Sequence, residues 1–153
     1  MIRVLPNVLR IVNELNIPSG DKHGYQILYF GVNLILMFDY KLSFSIEVKS
    51  PQHNNGIEVL IISRKDVSAW KGSSYRDDNN TSSIKQQIKM HYSNKGQKIS
   101  DVFKPAVSDA YAFILSNRSS SHNDKQFGTK TVKVLLTHSW QQEIKESQLR
   151  NKL

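Results

Sequence analysis

The sequence predicts an all-β protein: one antiparallel β-sandwich, jelly-roll-like, with about eight strands. Three observations point there. Apolar and polar residues alternate with period two in several short runs, turn residues recur between the runs, and no run with helical period is long. Successive side chains of a strand point to opposite faces, so such alternation marks one face in a core and one in solvent.

Residues 1–17 are open to two readings. Val8, Ile11, Val12 and Leu15 have the spacing of a short helix. Pro6 is tolerated either in a helix's first turn or on an edge strand, and the edge strand is preferred. Pro18 to Gly24 is a turn. From Tyr25 to Val32 a strand places Tyr25, Ile27 and Tyr29 on one face and Leu28, Phe30 and Val32 on the other, with Gly31 marking a bulge. Residues 33–38 continue apolar, as a bend or a further strand.

Tyr40 to Lys49 alternates most cleanly. Leu42, Phe44, Ile46 and Val48 face inward; Lys41, Ser43, Ser45, Glu47 and Lys49 face outward. Ile57 to Ser63 follows as a strand buried on both faces. The polar stretch from Arg64 to Ser83 is long for a connection, and such loops are often functional. Ile84 to Tyr92 alternates weakly, Ser93 to Gly96 reads as a hairpin turn, and Pro105 ends a short strand containing Ile99, Val102 and Phe103. Asp109 to Trp140 reads as one long hairpin at the centre of a sheet, with Tyr111, Phe113 and Leu115 on a face of its first arm and Val132, Val134 and Leu136 on a face of its second. Residues 141–153 are expected to be a frayed helix or a tail. The whole, 1–153, is expected to be one domain with its core in about 20–140.

Composition narrows the function. The net charge of +8 allows an anionic partner, but the lysines are scattered, which argues against specific nucleic-acid binding. Without cysteine there is no disulfide, thiolate metal site or cysteine nucleophile. No stretch has the roughly 18 apolar residues of a membrane span, and the N-terminus lacks a signal peptide's apolar core, so the expected location is cytoplasmic.

The order of motifs resembles the GOLD β-sandwich of the p24 family. The resemblance rests on a Gly-Tyr strand at Gly24-Tyr25, Leu42-x-Phe-x-Ile-x-Val48, the apolar Val59-Leu-Ile-Ile62, a polar loop with Trp70-Lys71, Ala110-Tyr-Ala-Phe-Ile-Leu-Ser-Asn117 and the closing Lys130-Thr-Val-Lys-Val134. It implies an isolated module of a type that binds proteins or lipids and is not an enzyme. Asp109-Ala110 stands where family members often have a glycine.

No catalytic residue is identified: there is no Gly-x-Ser-x-Gly, Walker loop or His-Glu-x-x-His, and no cofactor is implied. The candidate partner-binding residues are Trp70, Lys71, Tyr75, Arg76 and Tyr92, aromatics and cations suited to a peptide or sugar. Asp77 and Asp78 offer the oxygen ligands that calcium prefers, without the spacing of an EF-hand loop. The five histidines show no metal-ligand spacing. Asn80-Thr-Ser82 and Asn117-Arg-Ser119 fit the glycosylation pattern. These features point first to a non-catalytic interaction module that binds a protein partner or itself, as a subunit of a larger assembly. The alternatives are a module for carbohydrate or an anionic lipid headgroup, and an enzyme with an unrecognised loop site.

Overall fold

A computed structural model describes residues 2–20, 23–49, 57–72, 87–92, 98–118 and 129–145. The strands are β1 (Ile2–Ile17), β2 (Tyr25–Val32), β3 (Phe38–Val48), β4 (Glu58–Ser63), β5 (Ile88–Tyr92), β6 (Lys98–Phe103), β7 (Asp109–Ser116) and β8 (Lys130–Lys145). A 3-10 turn at Arg64–Asp66 runs into α1 (Val67–Gly72) after β4. Two four-stranded antiparallel sheets result, of order β1-β8-β3-β6 (sheet A) and β2-β7-β4-β5 (sheet B). Eight strands divided between two sheets in this order make a jelly roll.

The period-two pattern of β3 holds residue by residue. Leu42, Phe44, Ile46 and Val48 are buried between the sheets, whereas Lys41 and Glu47 are exposed. They meet Val132, Val134 and Leu136 of β8 and Tyr111, Phe113 and Leu115 of β7 in one core. Phe44 lies edge-on to Phe113 with ring centres 5.2 Å apart. β4 is buried along its whole length, as its unbroken apolar run requires.

The outer face of sheet B is also covered. Leu60, Ile62, Ala112 and Ile114 form a second core beneath Val67 and Trp70 of α1. This is why β4 and β7 need apolar residues at both parities.

Several expectations are corrected. β7 and β8 do not form a hairpin: each lies inside a different sheet, β7 between β2 and β4, β8 between β1 and β3. Likewise β5 and β6 are edge strands of opposite sheets, so no hairpin joins them. Local pattern reports which face of a strand is buried but not which strand it pairs with. Gly31 sits in regular register opposite Ala110, and the irregularities fall instead at Phe38/Lys41 and Ile61/Ile62. Residues 33–37 are a bend in which Asn33 Oδ1 accepts from the Ile35 amide at 3.0 Å. Residues 141–145 are neither helix nor tail; they extend β8, held by pairing from Ile2↔Lys145 to Pro6↔Gln141. For residues 2–17 the preferred reading, an edge strand, is the one found, because β8 offers them a partner along their full length.

The turn between β1 and β2 shows why glycine is needed twice. Gly20 has φ +123°, and Gly24 packs so close to it that a Cβ would overlap the Gly20 carbonyl oxygen.

Candidate interaction surface

Of the sequence-predicted site residues, Trp70, Lys71 and Tyr92 are described, and Tyr92 lies apart from the other two. Trp70 is buried on the outer face of sheet B, edge-on to Tyr25 with ring centres 5.2 Å apart. The Arg118 guanidinium lies 4.6 Å from the Trp70 ring centre and donates to the Trp70 carbonyl oxygen at 3.1 Å. Lys71 is exposed, with its ammonium 5.7 Å over Tyr25. Tyr92 lies on the other side of sheet B, half-buried against the main core and 6.1 Å from Phe44. Trp70 and Tyr92 thus belong to opposite faces of one sheet. Tyr75, Arg76, Asp77 and Asp78 lie outside the described residues, as does Asn80. Asn117 is buried and its amide donates to the Ile17 carbonyl oxygen at 3.1 Å, so it offers no accessible glycosylation acceptor.

Among the described residues, no three His, Asp or Glu side chains group closely enough to hold a metal, and no helix is long and apolar enough to cross a membrane. The buried titratable groups serve packing. Lys130 is buried at the start of β8, and burial pushes its ammonium down to about 8. His138 is buried between Phe30 and Tyr40, with Nδ1 2.6 Å from the Tyr40 hydroxyl. Burial lowers the His138 pKa and raises that of Tyr40.

The sign of the consequence is definite. An unfolded histidine takes its proton near pH 6.5 while the folded one resists it, so the unfolded state binds more protons in that window. Stability should therefore fall as pH drops below about 6.5. Denaturant midpoints at pH 7.5 and 5 test this. The drop should be larger in wild type than in His138→Gln; equal drops would remove His138 as the cause.

The surface that stands apart is β1. It is the edge of sheet A, paired with β8 on one side and, among the described residues, with no strand on the other. Its even-numbered side chains project from the outer face. Ile2, Val4, Val8 and Val12 there are between 53% and 65% exposed, and Leu9 on the opposite face is 51% exposed. The same outer face continues inward with small side chains. Rows run Val12–Leu135–Ser45–Ser100 and Arg10–Thr137–Ser43–Val102 across β1, β8, β3 and β6. A shallow depression of about 420 Å³ lies over Ser43, Ser45, Ser100, Val102, Leu135 and Thr137. The short hydroxyls keep this face flat, and the charges of Lys49 and Glu14, paired at 3.1 Å, sit toward its margin.

The sequence showed the apolar residues of β1 but not their exposure. Val8 and Val12 look like core residues until it is known that their strand is an edge and that their parity faces away from sheet B.

No protein-family model matches the chain, and no curated protein matches it in sequence. Among solved structures it is similar to the decameric BFDV capsid protein, at 10% identity and a TM-score of 0.42, over 93% of this chain and 99% of that one. It is also similar to a chain of the Desmodium yellow mottle tymovirus structure, at 8% identity and a TM-score of 0.37, over 93% of this chain and 91% of that one.

Proposed function

We propose that the protein is a non-catalytic jelly-roll module that binds a protein partner along β1 and so serves as a subunit of a larger assembly. One observation carries this reading: a sixteen-residue edge strand, its outer side unpaired among the described residues, with exposed Ile2, Val4, Val8, Leu9 and Val12. An edge of that kind is a template for another strand, and monomeric proteins usually blunt such edges by shortening or covering them. Arg3, Pro6, Arg10 and Glu14 blunt this one only in part. Strand addition draws affinity from main-chain hydrogen bonds and specificity from alternate side chains, and β1 offers both. The flat outer face beside it adds apolar area at Leu135 and Val102. The GOLD-like resemblance, with its protein-binding modules, agrees in direction.

The test is to compare tagged wild type with a Val8→Lys/Val12→Lys variant in the source cells. Wild type, chemically cross-linked in the cells before separation, should migrate as a complex larger than the chain alone. The variant, folded by near-ultraviolet circular dichroism, should migrate as the free chain. If the variant stays in the same complex, the β1 edge is not the docking surface.

A further inference from the structure

We infer that the occupant of the β1 edge is a second copy of this chain, joined by antiparallel β1–β1 pairing about a two-fold axis through Val8. The inference rests on the reading of β1 as a docking edge and names the partner for it.

The argument is one of self-complementarity. An antiparallel pair of identical strands has a two-fold axis, so its register is set by the residue that meets its own copy. Residues directly opposite share a face. An axis through any residue therefore sets outer face beside outer face and makes one continuous eight-stranded sheet from two copies of sheet A; an axis at Asn7 or Leu9, however, sets Val8 against Pro6 or Arg10.

The even-numbered residues of β1 read Ile2, Val4, Pro6, Val8, Arg10, Val12, Glu14 and Asn16. Val4, Val8 and Val12 are evenly spaced, and that spacing is palindromic about Val8. With the axis at Val8, Val8 meets Val8 of the second copy, and Val4 and Val12 meet each other twice. All three exposed valines are then covered by valine. Arg10 faces Pro6, Arg3 faces Asn13 and Glu14 faces Ile2, so no like charges oppose.

Neighbouring registers do worse. An axis at Arg10 sets two guanidinium groups against each other, which is destabilising. An axis at Pro6 sets Ile2 against Arg10 and leaves Val12 beyond the paired strand. An axis at Val12 pairs Arg10 with Glu14 but sets Val8 against Asn16 and leaves Val4 uncovered. The register at Val8 is the one in which the apolar spacing and the charges agree. Pro6 withholds at most one donor from each copy's ladder.

Magnitude sets the expected affinity. From Ile2 to Glu14 the strand spans about 43 Å at roughly 3.3 Å per residue, and a sheet edge about 10 Å thick then buries on the order of 400 Å² per copy. A standard stable interface buries about 800 Å² per partner, so the pair should be weak and dependent on concentration.

The experiment uses the purified full chain. Sedimentation should show a monomer–dimer equilibrium with appreciable dimer at about 100 μM, the concentration range suited to a small interface. Val8→Lys, which sets two ammonium groups against each other at the axis, should be monomeric while retaining the wild-type near-ultraviolet spectrum. The chain has no cysteine, so an introduced one reports alone. Opposed Cβ atoms lie about 4.5–5.5 Å apart, near the roughly 3.8 Å of a disulfide. Val8→Cys should cross-link as a dimer on mild oxidation, Val12→Cys alone should not, and Val4→Cys/Val12→Cys should. Cross-linking of Val12→Cys as readily as Val8→Cys would overturn the register. A wild-type chain that stays monomeric at about 100 μM would overturn the second copy as partner. In that case the docking reading still stands or falls separately, on whether the Val8→Lys/Val12→Lys variant leaves its complex in cells.

Discussion

Replacing Phe44 by alanine is expected to lower the unfolding free energy by about 3–5 kcal/mol. Phe44 is 3% exposed, at the centre of β3, between Phe113 of sheet B and the half-buried Tyr92. Truncation removes the ring's contacts with two strands of the facing sheet, β5 and β7, and leaves a cavity that rigid neighbouring strands can fill only partly. The adjacent Ser45 points to the outer face and shares a 3.3 Å hydroxyl contact with Ser100. Ser45→Ala should therefore change stability by less than about 0.5 kcal/mol. Chemical denaturation of the two variants reads the register of β3 directly, and equal small effects would mean that the assigned inward face is wrong.

Arg118→Ala should cost about 2–4 kcal/mol, which makes it the largest effect expected outside the main core. Arg118 is 3% exposed and holds α1 on sheet B through the Trp70 ring and the Trp70 carbonyl oxygen. A hydrogen bond from a charged donor contributes about 1.5–3 kcal/mol, and a desolvated cation–π contact about 2, without strict additivity. Loss of Arg118 should also wet Trp70. Its emission, measured in a Trp140→Phe background, should shift to longer wavelength. Arg118→Lys should fall between the two, since an ammonium has no planar face to lay on the indole. Unchanged stability and emission in Arg118→Ala would show that α1 is held by Val67 and the apolar face of Trp70 alone.

These two residues also mark how far the sequence was legible. Phe44 was identified as core because alternation in β3 is complete, and a half-solvated strand announces its own faces. The burial of β4 on both sides was readable for the same local reason. The role of Arg118 was not, because its partner Trp70 is 48 residues earlier and no periodicity links them. The division of β7 and β8 between sheets was equally hidden. A hairpin and a crossover between sheets require the same apolar runs and the same polar connection, and differ only in where the second strand lands. For β1, the apolar positions at 8, 11, 12 and 15 satisfied a helix as well as a strand, and tertiary pairing with β8 decided between them. The docking edge was therefore present in the sequence as composition but not as a surface.

The pairing of β1 with β8 has a consequence for how the chain is made. Ile2 finds its partner in Lys145 and Ile17 in Lys130. On the ribosome β1 emerges long before β8, so it lacks this partner until residues 130–145 have been made. Closing a sheet between strands so distant in sequence is a slow, entropically costly step, and unpaired apolar strands aggregate while they wait. The nascent protein thus exposes two sticky edges of β1, and the finished one exposes a single edge. Slowed synthesis of residues 130–145, or truncation before Lys130, should therefore appear as insolubility rather than as a smaller folded product.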